Sequence, residues 1–379
     1  MVKRESWLRR IEAAWRRRSL VWLHGVRRSG KTSLCRVLPD AEYFDCELPR
    51  TREDMADPEA FLERLRGRRV VLDEIHRLAN PSELLKVAAD HYPDIHIVAT
   101  GSSTLGASRK FRDTLTGRKE TLWLTPMTAE DLQDFKSGDL QHRLLRGGLP
   151  PFFLADPAPD REFQEWMDEY WSKDVDRLFR LERRHAFERL AELLMAQSGG
   201  IFEATHLARD CEISRATVMN YLAVLEATRV MHVVRPFSSR SRDEIVSAPK
   251  VYAFDTGFVC YHNAWSALPP ENLGTLWEHL VLNELHARLQ APRVRYWRDK
   301  RGHEVDFVLA ERGRPPMAIE CKWSAARFDS SSLRAFRARH PQGENLVVAQ
   351  DVARPFERRE GSLLLKYVGV QALEGIPLP

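Results

Sequence analysis

Ser19-Leu-Val-Trp-Leu-His24 runs directly into Gly25-Val-Arg-Arg-Ser-Gly30-Lys31-Thr32-Ser33. The first six residues read as a short buried strand, and Ser33-Leu-Cys-Arg-Val-Leu behind the loop has helical spacing. A GxxxxGKT string between strand and helix implies a phosphate-binding loop. Its glycines let backbone N–H groups turn inward, and the helix N-terminus adds the positive end of its dipole. Lys31 is expected to reach the β- and γ-phosphates of ATP, and Thr32 to offer its hydroxyl to Mg²⁺, a cation that takes oxygen ligands. Gly25, Arg27, Ser29, Gly30 and Ser33 complete the expected nucleotide contacts.

A second motif follows in Arg69-Val-Val-Leu-Asp73-Glu74, an apolar strand ending in adjacent carboxylates. Asp73 is expected to bind Mg²⁺ through its water shell, and Glu74, on the other side of the chain, to orient or deprotonate an attacking water. That pair argues for hydrolysis over nucleotide storage. A third strand, Ile95-His-Ile-Val-Ala-Thr100, ends in Gly101-Ser102-Ser103, a polar tip suited to sensing the γ-phosphate or a plain turn. Ligand groups at strand C-termini, with strands and helices alternating, predict a parallel α/β sheet whose site lies at its carboxyl edge.

The segment from about 19 to 155 carries GVRRSGKTSL, VVLDEIHRL, IVATGSST, LTGRKETLWLTPMTAEDL and RGGLPPFF. It resembles the AAA-type ATPase domain of an archaeal and bacterial family in which a P-loop ATPase precedes a conserved C-terminal domain of unknown function. The resemblance extends over nearly the whole chain. It implies an AAA+ fold with Lys31, Thr32, Asp73 and Glu74 in the Walker roles and Ser102 as sensor. Arg118, in LTGRKE, is either a residue that contacts a neighbouring subunit's γ-phosphate, which requires a homo-oligomer, or a strand-edge surface arginine.

A formal net charge of +4 over 379 residues excludes histone-like basicity. No apolar run reaches the ~18 residues that span a bilayer, and MVKRESWLRR lacks the apolar core of a signal peptide, so a cytoplasmic protein with no membrane partner is expected. The five cysteines have no metal or disulfide spacing and read as buried thiols. Within residues 1–36, eleven basic side chains face only Glu5 and Glu12, which predicts a basic N-terminal helix packed down by Trp7, Leu8, Ile11, Ala14 and Trp15.

Residues 127–147 have a helical pattern broken by Gly147-Gly-Leu-Pro-Pro151, as expected of a small helical lid. A long helical stretch over about 160–197 places Trp166, Tyr170, Trp171, Val175 and Leu178 at packing spacing. Residues 185–235 have a winged helix-turn-helix pattern: helices over 186–197, 205–211 and 214–226, with Ser214 capping the third and a wing beginning at Met231. Arg215, Thr217 and Asn220 would face a major groove. Yet residues 185–250 carry eight basic and eight acidic side chains, without a duplex reader's basic footprint, so packing or subunit contact stands beside DNA binding.

Beyond Leu268-Pro-Pro270 the pattern changes. Residues 274–285 read as an amphipathic helix, Val294-Arg-Tyr-Trp-Arg298 and His303-Glu-Val-Asp306-Phe-Val-Leu309 as a hairpin around Asp299-Lys-Arg-Gly302, and Met317-Ala-Ile-Glu320-Cys-Lys322-Trp as a third strand. Asp306 followed by Glu320-x-Lys322 has the spacing of the PD-(D/E)xK nuclease core, and Glu278 lies where that superfamily's helical acid lies. Two carboxylates on adjacent strands, Asp306 and Glu320, are expected to hold Mg²⁺, and alternation puts Lys322 on the Glu320 face to position a water. Such a fold either cleaves or persists as a nucleic-acid-binding scaffold. Glu304 is a further ligand or a partner of Arg298.

The expected architecture is multidomain α/β: a P-loop ATPase core over 1–127, helical lid and connecting helices over 128–184, a winged helix-turn-helix over 185–250 and a restriction-endonuclease-like α/β domain over 251–379. The expected function is ATP-driven DNA binding and processing, with a nucleotide-dependent regulatory switch as the alternative.

Overall fold

A computed structural model describes residues 2–101, 111, 114–156, 160–176, 183–237, 248–291 and 293–376. The apolar runs of the first segment form β1 (Leu20–His24), β2 (Ala41–Asp45), β3 (Arg69–Asp73), β4 (His96–Thr100) and β5 (Lys119–Trp123). They make one all-parallel sheet in the order β2-β3-β4-β1-β5. Near-continuous apolar strands are what a sheet covered on both faces requires. Registers Leu72↔Ala99 and Leu23↔Thr100 bring the carboxyl ends of β3, β4 and β1 to one edge.

The helix Glu5–Trp15 buries Trp7, Leu8, Ile11, Ala14 and Trp15, as its spacing predicts. Arg4, immediately before it, is also buried. Its guanidinium grips Asp131 through Nε at 2.8 Å and a terminal nitrogen at 2.6 Å, and donates to the Ser29 carbonyl at 3.0 Å. Asp131 in turn closes a capping box with Thr128 at the start of the helix Ala129–Asp134.

Two compact units divide the chain. The first comprises Met1–Gly138, Leu149–Glu182 and Ala227–Arg229, and the second comprises Asp139–Gly148, Arg183–Glu226 and Val230–Pro379. The expected 128–184 lid is therefore not one body. The helix Leu140–Arg146 joins the second unit because buried Arg143 donates to Thr256 at 3.1 Å and the Gly148 N–H donates to the Asp255 carboxylate at 2.6 Å. The expected long helix over 160–197 is also divided. Asp160–Glu169 is α-helical, Tyr170–Val175 is a π-helical turn and Arg184–Ala196 is a separate helix, while Leu178 lies outside the described residues. Trp166, Tyr170, Trp171 and Val175 are buried.

In the second unit the helices Arg184–Ala196, Ala204–Asp210 and Arg215–Ala227, with β6 (Gly200–Ile201) between the first two, are followed by β7 (Met231–Pro236) and β8 (Lys250–Ala253). The Ser214 hydroxyl accepts from the Thr217 N–H at 3.0 Å, the expected cap. Then come the helix Leu273–Leu289, β9 (Val294–Arg298), β10 (Glu304–Leu309), β11 (Met317–Lys322), β12 (Asn345–Ala349), β13 (Phe356–Glu360) and β14 (Leu363–Val368).

All of these strands share one sheet, ordered β13-β14-β12-β11-β10-β9-β7-β8-β6. The boundary drawn at 250/251 falls inside β8. Parallel pairing of β7 with β9, Arg235↔Arg295, carries the sheet across the expected domain division. The helix Leu273–Leu289 is not amphipathic as expected: every residue from Leu276 to Ala287 except Glu278 is buried. The Asp299 carboxylate closes the β9–β10 turn by accepting from the Arg301 and His303 N–H groups at 2.8 and 3.0 Å. All five cysteines are free and buried.

Candidate functional site

The loop after β1 turns through Arg28 and Gly30, both at positive φ, 61° and 94°, into the helix Lys31–Arg36. A Cβ on Gly25 would stand 2.4 Å from the Leu124 carbonyl oxygen, so only glycine lets the loop leave β1 along this path. Lys31 folds back to donate to the Gly25 and Val26 carbonyls at 2.9 and 3.0 Å. Burial lowers its pKa, opposed by the charges of Glu74 and Asp174. A cleft of about 280 Å³ opens here, lined among others by Arg27, Lys31, Thr32, Glu74, Pro150 and Glu169; Gly30 and Ser33 also line it. Ser29 is fully buried under the loop.

The two carboxylates that end β3 part company. Buried Asp73 accepts from the Tyr43 hydroxyl at 2.6 Å and from the Thr100 hydroxyl. Glu74 adopts the left-handed region at φ 54°, fixed by its N–H donating to Thr100 Oγ1 at 3.0 Å, and thereby faces the cleft. Its carboxylate lies 3.0 Å from His76 Nδ1. Burial works against the Glu74 charge, but His76, Lys31 and Arg27 outweigh it and hold the carboxyl below its ordinary value.

Ser102, the expected sensor, lies outside the described residues. Arg118 is placed away from the loop: it immediately precedes β5 at the amino edge of the parallel sheet, next to the Leu20↔Lys119 register. There it makes a bidentate pair with Asp90 at 2.7 and 3.0 Å. Sequence reasoning missed Thr100, Tyr43, His76 and Asp174. Thr100 and His76 were accessible from their places at a strand end and two residues beyond Glu74; Asp174 had no such signal.

The second cluster assembles in the second unit. Lys322 Nζ donates to Glu320 at 2.8 Å and lies 3.4 Å from Asp306, whose carboxylate also accepts from the Cys321 N–H at 2.7 Å. Phe307 and Cys321 face the core, as alternation requires. Burial, then repulsion from Asp306, pushes Glu320 up to about 8, and its Oε1 is buried without a hydrogen-bond partner among the described residues. Glu278 accepts from Lys250 Nζ at 2.7 Å and from the Tyr252 hydroxyl. Lys250 also reaches Glu304 at 2.9 Å, and Arg298 lies 3.7 Å from Glu304. Sequence reasoning missed Lys250, a nearly inaccessible cation from β8.

Among the described residues no three His, Cys, Asp or Glu side chains are grouped to hold a metal ion by themselves. Mg²⁺ binds through one or two protein oxygens plus substrate phosphates. At the first cleft Thr32 and Asp73 are the oxygens at hand. In the second cluster Asp306 and the unpartnered Glu320 oxygen are the donors left, because Glu278 is held by Lys250 and Tyr252.

Comparison with known proteins assigns the first segment. Residues 17–133 match the AAA domain family. This segment, built on the all-parallel α/β sheet, is similar to AAA-type domains. Residues 137–268 and 273–367 match two families described as domains of unknown function, DUF8612 and DUF4143. The division between them falls at Leu268-Pro-Pro270. Uncharacterized proteins of Mycobacterium tuberculosis and Mycobacterium bovis are 28% identical over 348 residues, covering 88% of this chain and 77% of theirs. Among solved structures, the Walker-type ATPase of Pyrococcus abyssi is similar with TM-score 0.42 and 16% identity, covering 69% of this chain and 96% of that one. AMPPCP-bound DnaA from Aquifex aeolicus is similar with TM-score 0.29 and 12% identity, over 57% of this chain and 84% of that one. Among the described residues no helix is long and apolar enough to cross a membrane.

Proposed function

We propose that this protein hydrolyses ATP and uses the cycle to bind and remodel or process DNA, branched DNA included, with a metal-dependent nuclease-like C-terminal segment. The observation that carries the ATPase reading is the convergence of Lys31, Thr32 and Glu74 on one cleft at the carboxyl edge of the sheet, with Asp73 tied to the same Thr100 that fixes Glu74. Phosphoryl transfer passes through a loose transition state, so catalysis here is positioning and charge. Lys31 leaves the loop carbonyls for the phosphate oxygens. Glu74, ionised because its cationic neighbours depress its pKa, accepts a hydrogen bond from the attacking water. Thr32 and Asp73 would hold Mg²⁺, which would supply neutralisation of the phosphate charge.

Glu74→Gln is expected to bind ATP and nearly abolish turnover, while Lys31→Ala loses binding. Unchanged turnover in Glu74→Gln overturns the assignment of the base.

The DNA reading rests on Asp306, Glu320 and Lys322 meeting across β10 and β11, beside the basic hairpin residues Arg295, Arg298, Lys300 and Arg301. A specific observation favours the second reading, a nucleotide-dependent switch whose C-terminal segment only docks: Lys250 and Tyr252 occupy Glu278. Duplex, single-stranded and four-way DNA, incubated with Mg²⁺ or Mn²⁺, with and without ATP, beside Asp306→Ala and Lys322→Ala, separates the two. Cleavage by wild type alone supports the nuclease, and intact substrates throughout leave the switch. DNA binding should weaken steeply with salt as counterions are released; a flat profile points to a protein partner.

A further inference from the structure

Arg27 is anchored twice by one helical segment. The Trp166 indole N–H donates to the Arg27 carbonyl at 3.1 Å, and the Arg27 Nε donates to Asp174 Oδ2 at 2.5 Å. Eight positions separate Trp166 from Asp174. In an uninterrupted α-helix, at ~100° per residue, such positions are offset by roughly 80°. Asp174 lies within the π-helical turn Tyr170–Val175, whose wider i→i+5 turn reduces the rotation per residue over the second half of that interval. Both side chains thereby meet the same loop residue.

The Asp174 side chain is 5% exposed and that of Arg27 25%. A carboxylate this buried costs free energy unless a fixed cation faces it, so Arg27 is held to one place. The bond uses Nε alone. Among the described residues the two terminal guanidinium nitrogens make no hydrogen bond, and Arg27 lines the cleft with Lys31, Thr32 and Glu74. A guanidinium anchored at Nε with its fork open suits the non-bridging oxygens of a phosphoryl group. The arginine expected to act from a neighbouring subunit, Arg118, is committed to Asp90 at the opposite edge of the sheet.

We infer that Arg27 is this ATPase's own arginine for the γ-phosphate, supplied from within the loop, and that Asp174 is its positioning residue. The inference rests on the ATPase reading. Arg27 contacts the transferring phosphoryl oxygens with its terminal N–H groups as charge develops there, while Asp174 keeps Nε and fixes the fork.

The test measures kcat and KM for ATP hydrolysis, and ADP affinity by calorimetry, in the full-length chain. Arg27→Met/Asp174→Leu removes both charges, so no lone buried ion compromises folding. It should lower kcat on the order of 10²- to 10³-fold with ADP affinity within about threefold, the loss typical of one preorganised transition-state donor. Asp174→Asn, which keeps an acceptor for Nε without its charge, should lose about tenfold in kcat. Asp174→Leu should approach the double variant, and the double variant should be no worse than Arg27→Met alone, because the two act as a unit. A residue that merely shapes the loop would weaken ADP binding as much as turnover, and that result overturns the inference. So does kcat within about twofold of wild type in the double variant while Lys31→Ala abolishes nucleotide binding. If wild type neither binds nor hydrolyses ATP, the ATPase reading falls and takes the inference with it.

Discussion

Replacing Arg4 by Met tests whether the buried tie between the N-terminus and the phosphate loop holds the first unit together. The Arg4 and Asp131 side chains are 4% and 0% exposed, and the ion pair is bidentate. Methionine fills much of the volume but leaves the Asp131 carboxylate, among the described residues, with the Thr128 N–H and hydroxyl, at 2.8 and 2.9 Å, and a long bond from the Trp7 indole at 3.4 Å. Stranding one member of a buried pair costs about 3–5 kcal/mol. For a unit of this size that corresponds to roughly 6–20 °C in Tm. Adding Asp131→Asn removes the stranded charge while keeping an acceptor for the capping box, and should recover most of the loss. The pH dependence has a definite sign. In the wild type, burial raises the Asp131 pKa but Arg4 and Thr128 outweigh it, so the folded value lies below the unfolded one. Its stabilisation is present above the unfolded value and is lost as pH falls through the folded value. Without Arg4, burial dominates and the folded value rises, so the deficit of Arg4→Met against wild type should shrink as the solution is acidified. Differential scanning calorimetry from pH 7 to pH 4 checks both. A Tm within about 2 °C of wild type at pH 7, or no recovery with Asp131→Asn, refutes the reasoning.

Gly147→Ala should destabilise the second unit by at least about 1–3 kcal/mol from the backbone alone, since φ is 83° and the new Cβ would stand 1.9 Å from Asp255 Oδ1; urea denaturation reads the loss. Lys250→Met leaves Glu278 and Glu304 without their shared cation, so the variant should be markedly less stable than wild type at pH 7, with a smaller gap at pH 5, as followed by thermal melts. Arg118→Ala should leave ATP turnover within about twofold, since the side chain pairs with Asp90 far from the cleft; a loss on the scale of an arginine finger, ~10³-fold, would reinstate the role expected from sequence.

The phosphate loop and the Asp73-Glu74 strand end were legible because local pattern fixes them: a buried pentapeptide, two glycines and a helix start leave the chain few alternatives. The β9–β10–β11 strands were legible from their two-residue alternation. What stayed hidden depends on pairs distant in sequence. Asp131 is 127 positions from Arg4 and Asp174 is 147 from Arg27, and each reads locally as a surface charge on a helix. Lys250 begins a strand whose partner β7 lies across a polar stretch, so the division expected at 250/251 falls where the sheet runs through. The helix Leu140–Arg146 looked like part of the preceding segment because the residues that claim it, Asp255 and Thr256, come more than a hundred positions later.

The shared nine-stranded sheet bears on how the chain is dissected. A fragment starting at 251 would lack β7 and begin inside β8, and one starting near 269 would lack β7 and β8 entirely. Either cut removes Lys250 from between Glu278 and Glu304, and either also removes β7 and so bares the flank of β9, an open strand edge that invites other chains to pair with it. Absence of cleavage by such a fragment would report on the scissors rather than on Asp306, Glu320 and Lys322.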